Sequence, residues 1–159
     1  VALGVPDFRP QSLPFIAPRE QERYQLDLSG QSIECGAVSM GNPHAVLAVD
    51  SVDRAPVGIL GPELQRHRSF PQSVNVGFMQ HESDRRIRLR VYERGAGETL
   101  ACGTGAAAAV AVGRLWGLLG DDVEVSLPGG ILKVSWRGPG TVLWQTGPTS
   151  AVYEGRIEI

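Results

Sequence analysis

Cys102 is the residue of this sequence with the most chemistry to offer. It stands in ERGAGETLACGTGAAAAVAVGRLWG, residues 93–117, where a run of small residues turns helical. The leading N–H groups of a helix have no intrahelical partner and carry partial positive charge. A thiol placed there ionises more easily, and the same N–H groups can hold a carboxylate or phosphate. Gly103 and Gly105 in CGTG remove side chains that would block that approach. The segment therefore offers a reactive thiolate and an anion cradle in one place. The same residues also suit a buried, inert cysteine beside packing glycines, and both readings stand on spacing alone. The second thiol, Cys35 in IECGAV, reads as a core residue of a strand.

The helix that must hold Cys102 is expected over residues 102–119. Its four alanines at 106–109 are strong helix formers, and Gly120 is placed to stop it. Its one charge is Arg114, and a helix apolar on nearly all sides is buried on nearly all sides. Short strands are expected in RYQLDL, SIECGAVSM, HAVLAVD, SVNVGFMQ, RIRLRVYER, VEVSL, ILKVSWR, TVLWQTG and AVYEGRIEI. In RIRLRVYER, Ile87, Leu89 and Val91 alternate with Arg86, Arg88 and Arg90, the pattern of a half-buried strand. A short helix is expected within APVGILGPELQRHRSF, and residues 1–20, with four prolines, read as an extended lead-in segment. Many short strands around one long buried central helix make an α+β fold with an antiparallel or mixed sheet.

The chain has 159 residues, enough for one domain with a real core. A net charge of −2 gives no footprint for nucleic acid or an anionic membrane. No apolar stretch approaches the ~20 residues of a membrane span, and no signal peptide is visible, so a cytoplasmic location is expected. The opening at Val1 rather than Met leads us to expect a piece of a longer protein. No metal-ligand spacing and no glycine-rich nucleotide motif is present. The expectation is a protein with no metal and no cofactor. His67 and His81 have surface-like neighbours and are assigned no role.

The motifs GVPDFRP, VSMGNPHAV, LGPELQRHRSFPQSVNVGFMQ, RLRVYERGAGETLACGTGAAAAV, LPGG and TGPTSAVYEGRIEI run in this order along nearly the whole chain. Together they resemble the C-terminal half of the diaminopimelate epimerase family. The resemblance implies cofactor-free inversion at an amino-acid α-carbon, interconverting LL- and meso-diaminopimelate for lysine and cell-wall precursor synthesis. Two cysteines face that carbon from opposite sides, one taking a proton while the other delivers one. Cys102 matches one of them. Gly103 and Thr104 match backbone donors to the reacting carboxylate, and Glu93 the residue that meets the reacting amine. Asn42, Asn75 and Arg94 match groups gripping the distal amino acid end, and His44 a histidine near the thiols that, with Glu93, tunes their ionisation.

Plainer roles suit several of these residues. Asn42 before Pro43 suits a turn, Asn75 a solvated strand position, Glu93 and Arg94 an exposed ion pair, and His44 a satisfied core histidine. The partner cysteine's motif precedes GVPDF in the family and has no counterpart here. Residues 1–147 are accordingly expected to form the C-terminal epimerase domain, and 148–159 a closing strand that in the family returns to the N-terminal one. The implied partners are diaminopimelate, the N-terminal half of the enzyme and a second copy of the chain, and the isolated chain is expected to be inactive. A non-catalytic anion-binding or assembly domain on the same fold, and a proline racemase-like isomerase, are the alternatives.

Overall fold

The computed structural model describes residues 1–28 and 30–158. In chain order the elements are β1 (Ala2–Gly4), a 3-10 turn (Pro10–Ser12), β2 (Tyr24–Leu28), β3 (Gln31–Ser39), β4 (Pro43–Ala48), α1 (Val57–Gln65) and β5 (Asn75–Ser83). They continue with β6 (Arg86–Glu93), β7 (Gly97–Thr99), α2 (Gly103–Leu115), β8 (Asp122–Leu127), β9 (Gly130–Ser135) and β10 (Leu143–Thr146). The ten strands form one mixed sheet in the order β1-β10-β9-β8-β6-β5-β4-β3-β2, with β7 added on β6. The pairs β4/β5 and β6/β8 are parallel.

Alternation builds this sheet with an apolar layer on each face. Val38, Val46, Met79 and Leu89 pack with α2, while Ala37, Ala45, Val76 and Phe78 pack with Val57 and Leu64 of α1. Ile87, Leu89 and Val91 are buried, as the arginine alternation of β6 requires. The arginines on the other side are paired: Arg88 donates to Asp53 at 2.8 Å and Arg90 to Glu98 at 2.6 Å.

The expected short helix is α1, and the two helices serve two separate apolar clusters. The expected long helix is corrected in its bounds: α2 covers 13 residues, Gly103–Leu115. It ends at Leu115 because Gly117, at φ 72°, takes the left-handed conformation that closes a helix. Gly117 N–H donates to Arg114 O at 3.0 Å and Leu118 N–H to Gly113 O at 2.9 Å. Leu119 then folds back on α2: a Cβ on Gly113 would lie 2.5 Å from Leu119 Cδ1. Residues 105–113 of α2 are all buried, and the helix touches β3, β4, β5 and β6 as well as β9 and β10.

The lead-in end differs from expectation. The lead-in segment is partly built into the fold. β1 pairs with β10, Asp7 bridges Ser39, and Leu13 and Phe15 enter the α1-side core. Phe15 stacks on Phe70 and meets Tyr24 edge-on, both at 4.7 Å between ring centroids. Residues 147–158 form no helix or strand, and Val152, Tyr153 and Ile157 are exposed. Ile159 of the expected closing strand lies outside the described residues.

The sheet comes close enough to α2 that a Cβ on Gly36 would lie 2.4 Å from Val112 Cγ1 and 3.1 Å from Trp116. Gly36→Ala is therefore expected to lower unfolding stability by about 1–3 kcal/mol, the range for overpacked cores. Gly58→Ala, in α1 with open space around it, is expected to leave stability unchanged or raise it by up to ~1 kcal/mol. Urea unfolding of both variants checks this, and equal losses would contradict it.

Candidate active site

Because β4 and β5 are parallel and β6 runs against β5, the starts of β4 and β5 and the end of β6 share one end of the sheet. Asn42 immediately precedes β4, Asn75 opens β5 and Glu93 closes β6. The N-terminus of α2 opens at the same place. Residues separated by up to 62 positions thus meet without any local motif joining them.

Cys102 is the N-cap of α2, with extended backbone (φ −139°, ψ 107°). Its Sγ accepts from Gly105 N–H at 3.3 Å and lies 3.7 Å from Thr104 Oγ1. A sulfur replaces the usual capping oxygen on the third orphan N–H. Gly105 is a close fit, since a Cβ there would stand 3.0 Å from Val91 Cγ2 and 3.1 Å from the sulfur.

The expectation that the helix end eases ionisation of this thiol is corrected by its surroundings. Burial raises the Cys102 pKa above its ordinary value, and the Glu93 carboxylate adds to the rise. The donors Gly105 N–H and Thr104 O–H offset part of it. Glu93 is itself oriented by Thr99, whose Oγ1 donates to its Oε1. No salt bridge joins Glu93 to Arg94.

A second chain of contacts runs from Thr104 into the sheet. Asn42 Nδ2 donates to Thr104 Oγ1 at 3.4 Å, which turns Asn42 Oδ1 toward His44 Nε2 at 3.0 Å. An amide oxygen only accepts, so His44 is assigned the tautomer with hydrogen on Nε2. His44 is 1% exposed, and burial followed by the Arg94 charge lowers its pKa to about 4. It is a neutral imidazole that orients Asn42.

Asn75 is buried and braced. Its Nδ2 donates to Pro43 O at 3.0 Å and its Oδ1 accepts from Arg94 N–H at 2.9 Å. It ties the turn before β4 to the turn after β6. Arg94 extends outward, with Nη1 donating to Gln72 O at 3.1 Å.

Cys35 is fully buried in the α1-side cluster, on the other face of the sheet from Cys102, and burial pushes its thiol up to about 12. It takes no part in the site. Nor does a surface hollow of about 530 Å³ lined by Asp27, Glu63, Arg66, His67 and Arg68.

One residue here had no sequence role. Gln145 of β10 is 8% exposed and donates from Nε2 to Gly103 O at 2.8 Å. The signal lay in LWQT: alternation puts Gln145 on the buried side with Leu143 and leaves Trp144 56% exposed, the reverse of their polarities.

A profile of the diaminopimelate epimerase family matches residues 36–152. The chain is 57% identical over all 159 residues to a diaminopimelate epimerase of Alkalilimnicola ehrlichii, and it spans 57% of that relative's length. Among solved structures, it is similar to a hydroxyproline epimerase from Agrobacterium vitis with bound trans-4-hydroxy-L-proline (TM-score 0.54, 20% identity, 76% of this chain and 44% of that one). It is also similar to a probable proline racemase from Agrobacterium radiobacter with bound carbonate (TM-score 0.53, 20% identity, 71% of this chain and 40% of that one). At that identity these two likenesses concern the fold.

Two measurements follow from the buried groups. An imidazole at about 4 folded against 6.5 unfolded binds fewer protons in the native state. Native stability is then complete above pH 6.5 and falls as the pH drops toward 4, by roughly 3 kcal/mol in all. Urea midpoints from pH 7 to 4 should show that slope and His44→Gln should flatten it; a parallel slope in the variant would refute the assignment. In the native chain iodoacetamide should modify Cys102 before Cys35, with a rate still climbing at pH 9. A faster Cys35, or a Cys102 rate that levels off below pH 8, would contradict the two environments.

Proposed function

The chain belongs to the diaminopimelate epimerase family, and from that premise we propose that it supplies one acid–base face of a cofactor-independent epimerase interconverting LL- and meso-diaminopimelate. The observation that carries this reading is the setting of Cys102, whose sulfur caps α2 between the Glu93 carboxylate and the open Gly103 and Thr104 N–H groups. In the proposed reaction the Cys102 sulfur takes the α-proton, or in the reverse sense gives it. The electron pair of the broken C–H bond passes into the adjacent carboxylate. The Gly103 and Thr104 N–H groups stabilise the charge gathering on its oxygens. Glu93 receives the substrate ammonium, and Asn42 and Arg94 bind the far amino acid end. Asn75 serves by bracing the backbone that presents them.

The raised pKa of Cys102 suits this cycle. A thiol that holds its proton until substrate arrives is a competent acid, and the ammonium of a bound substrate would lower it by offsetting Glu93. Stereoinversion requires a second group on the opposite side of the carbon. The other thiol of this sequence, Cys35, lies behind the sheet in a separate core. The second thiol is therefore proposed to come from the N-terminal half of the enzyme. Residues 1–147 are proposed as the domain that docks with it, and 148–159 as the segment that pairs into a closing strand on docking. The exposure of Val152, Tyr153 and Ile157 supports that assignment. A second copy of the chain could also take up that strand, giving a self-associated form. The helix α2, flanked by strands of both sheet halves, serves as the central support of the site.

The test is α-proton exchange and stereoinversion of diaminopimelate in deuterated water. The chain alone should invert no substrate. Added N-terminal half of the relative should restore inversion, and Cys102→Ala should then lower kcat by about 10²–10⁴-fold, the usual share of a general acid–base. Inversion by the chain alone, or an unaffected Cys102→Ala complex, would overturn the reading.

A further inference from the structure

Gln145 is a buried polar side chain that the reading above leaves without a task. It is 8% exposed, in a strand whose other inward residue is Leu143. Its backbone is fixed on the far side by Val1, just before β1: Gln145 N–H donates to Val1 O at 2.9 Å, and Val1 N donates to Gln145 O at 2.7 Å. The side chain reaches to the first residue of α2. Nε2 lies 2.8 Å from Gly103 O, and a Cβ on Gly103 would stand 2.9 Å from Oε1. The amide thus lies against the opening peptide of the helix, in the space a Cβ at 103 would enter.

The bonded carbonyl matters because of its partner across the peptide bond. Gly103 C=O and Thr104 N–H belong to one planar unit. Fixing the oxygen fixes the direction of that N–H. A hydrogen bond accepted at the oxygen also polarises the peptide and strengthens its N–H as a donor. Thr104 N–H is among the first four of the helix and has no intrahelical acceptor.

We infer that Gln145 is a positioning residue for the anion cradle of α2: by donating to Gly103 O it sets the plane and the donor strength of the Thr104 N–H. The inference rests on the reading of that turn as the carboxylate site. It also gives residue 103 a reason to be glycine: a Cβ there would have to displace the Gln145 amide from its bond to Gly103 O, and the bare turn leaves the N–H groups open to a ligand.

The experiment uses two variants of nearly the same shape, Gln145→Met, which fills the space without a donor, and Gln145→Glu, which adds a negative charge there. In the free chain, ¹H–¹⁵N spectra should keep the dispersion of the native protein for both. The Thr104 amide proton should move upfield in each, more than the amides of Ala108 or Val110. In the complex reconstituted with the N-terminal half, Gln145→Met should lower kcat about fivefold, the worth of one hydrogen bond, with a smaller change in KM. Gln145→Glu should lose more, because its charge repels the substrate carboxylate. An unmoved Thr104 amide in folded Gln145→Met overturns the inference, as does a moved amide with unchanged kcat. If the wild-type complex proves inactive, the epimerase reading falls, and the amide shift still decides whether Gln145 orients the turn.

Discussion

How near a β-sheet can come to a helix axis governs this molecule. The first turns of α2 carry glycine, threonine and alanine, and strands from both halves of the sheet lie against it. Where the strand backbone comes nearest, glycine is required: at Gly36 a single methyl would drive into Val112. A larger residue on either surface would push the layers apart, and the strand ends would no longer meet the helix N-terminus. The close packing therefore does more than fill a core. It brings the sheet end that carries Asn42, Asn75 and Glu93 to the turn that carries Cys102.

Electrostatics at that turn are set by competition. The helix end and two hydrogen-bond donors favour a thiolate, while burial and the Glu93 carboxylate oppose it, and the opposition prevails. His44, which faces the same cluster through Asn42, is held neutral by burial. The cluster consequently carries little positive charge of its own beyond Arg94 and the backbone donors. For the proposed amino-acid substrate the cluster offers groups of both signs: N–H donors for a carboxylate and the Glu93 carboxylate for an ammonium. The hydrogen-bonded chain from His44 to Thr104 and the brace of Asn75 keep those groups in place before anything binds.

Much of this was legible in the sequence. The alternation in β6 and the alanine run of α2 are local patterns, and burial follows from them directly. The meeting of Asn42, Asn75 and Glu93 is different, since it depends on the parallel pairing of β4 with β5, which no residue pattern encodes. Those residues could be singled out only through resemblance. The end of α2 was misplaced because Gly117 and Gly120 are equally good stop signals, and the fold-back of Leu119 onto Gly113 decides between them. The strands β1 and β7 are three residues each, too short for periodicity to register. Gln145 was overlooked for a related reason: one polar residue in a four-residue strand reads as an outward position, and only the exposure of Trp144 beside it reveals the inversion.

The pairing of β1 with β10 has a kinetic meaning. It sets Ala2 opposite Trp144, joining residues from near the two ends of the sequence. Loop closure over that span carries the largest entropic penalty of any contact in the sheet, and such non-local pairings set the pace of folding. Since β10 also carries the side chain that reaches Gly103, the opening turn of α2 gains this support only when both ends of the domain are present. A ribosome releasing this segment would hold a chain whose helix can already form while its first turn is still unbraced. The opening turn of α2 is thus expected to be among the last parts to become rigid.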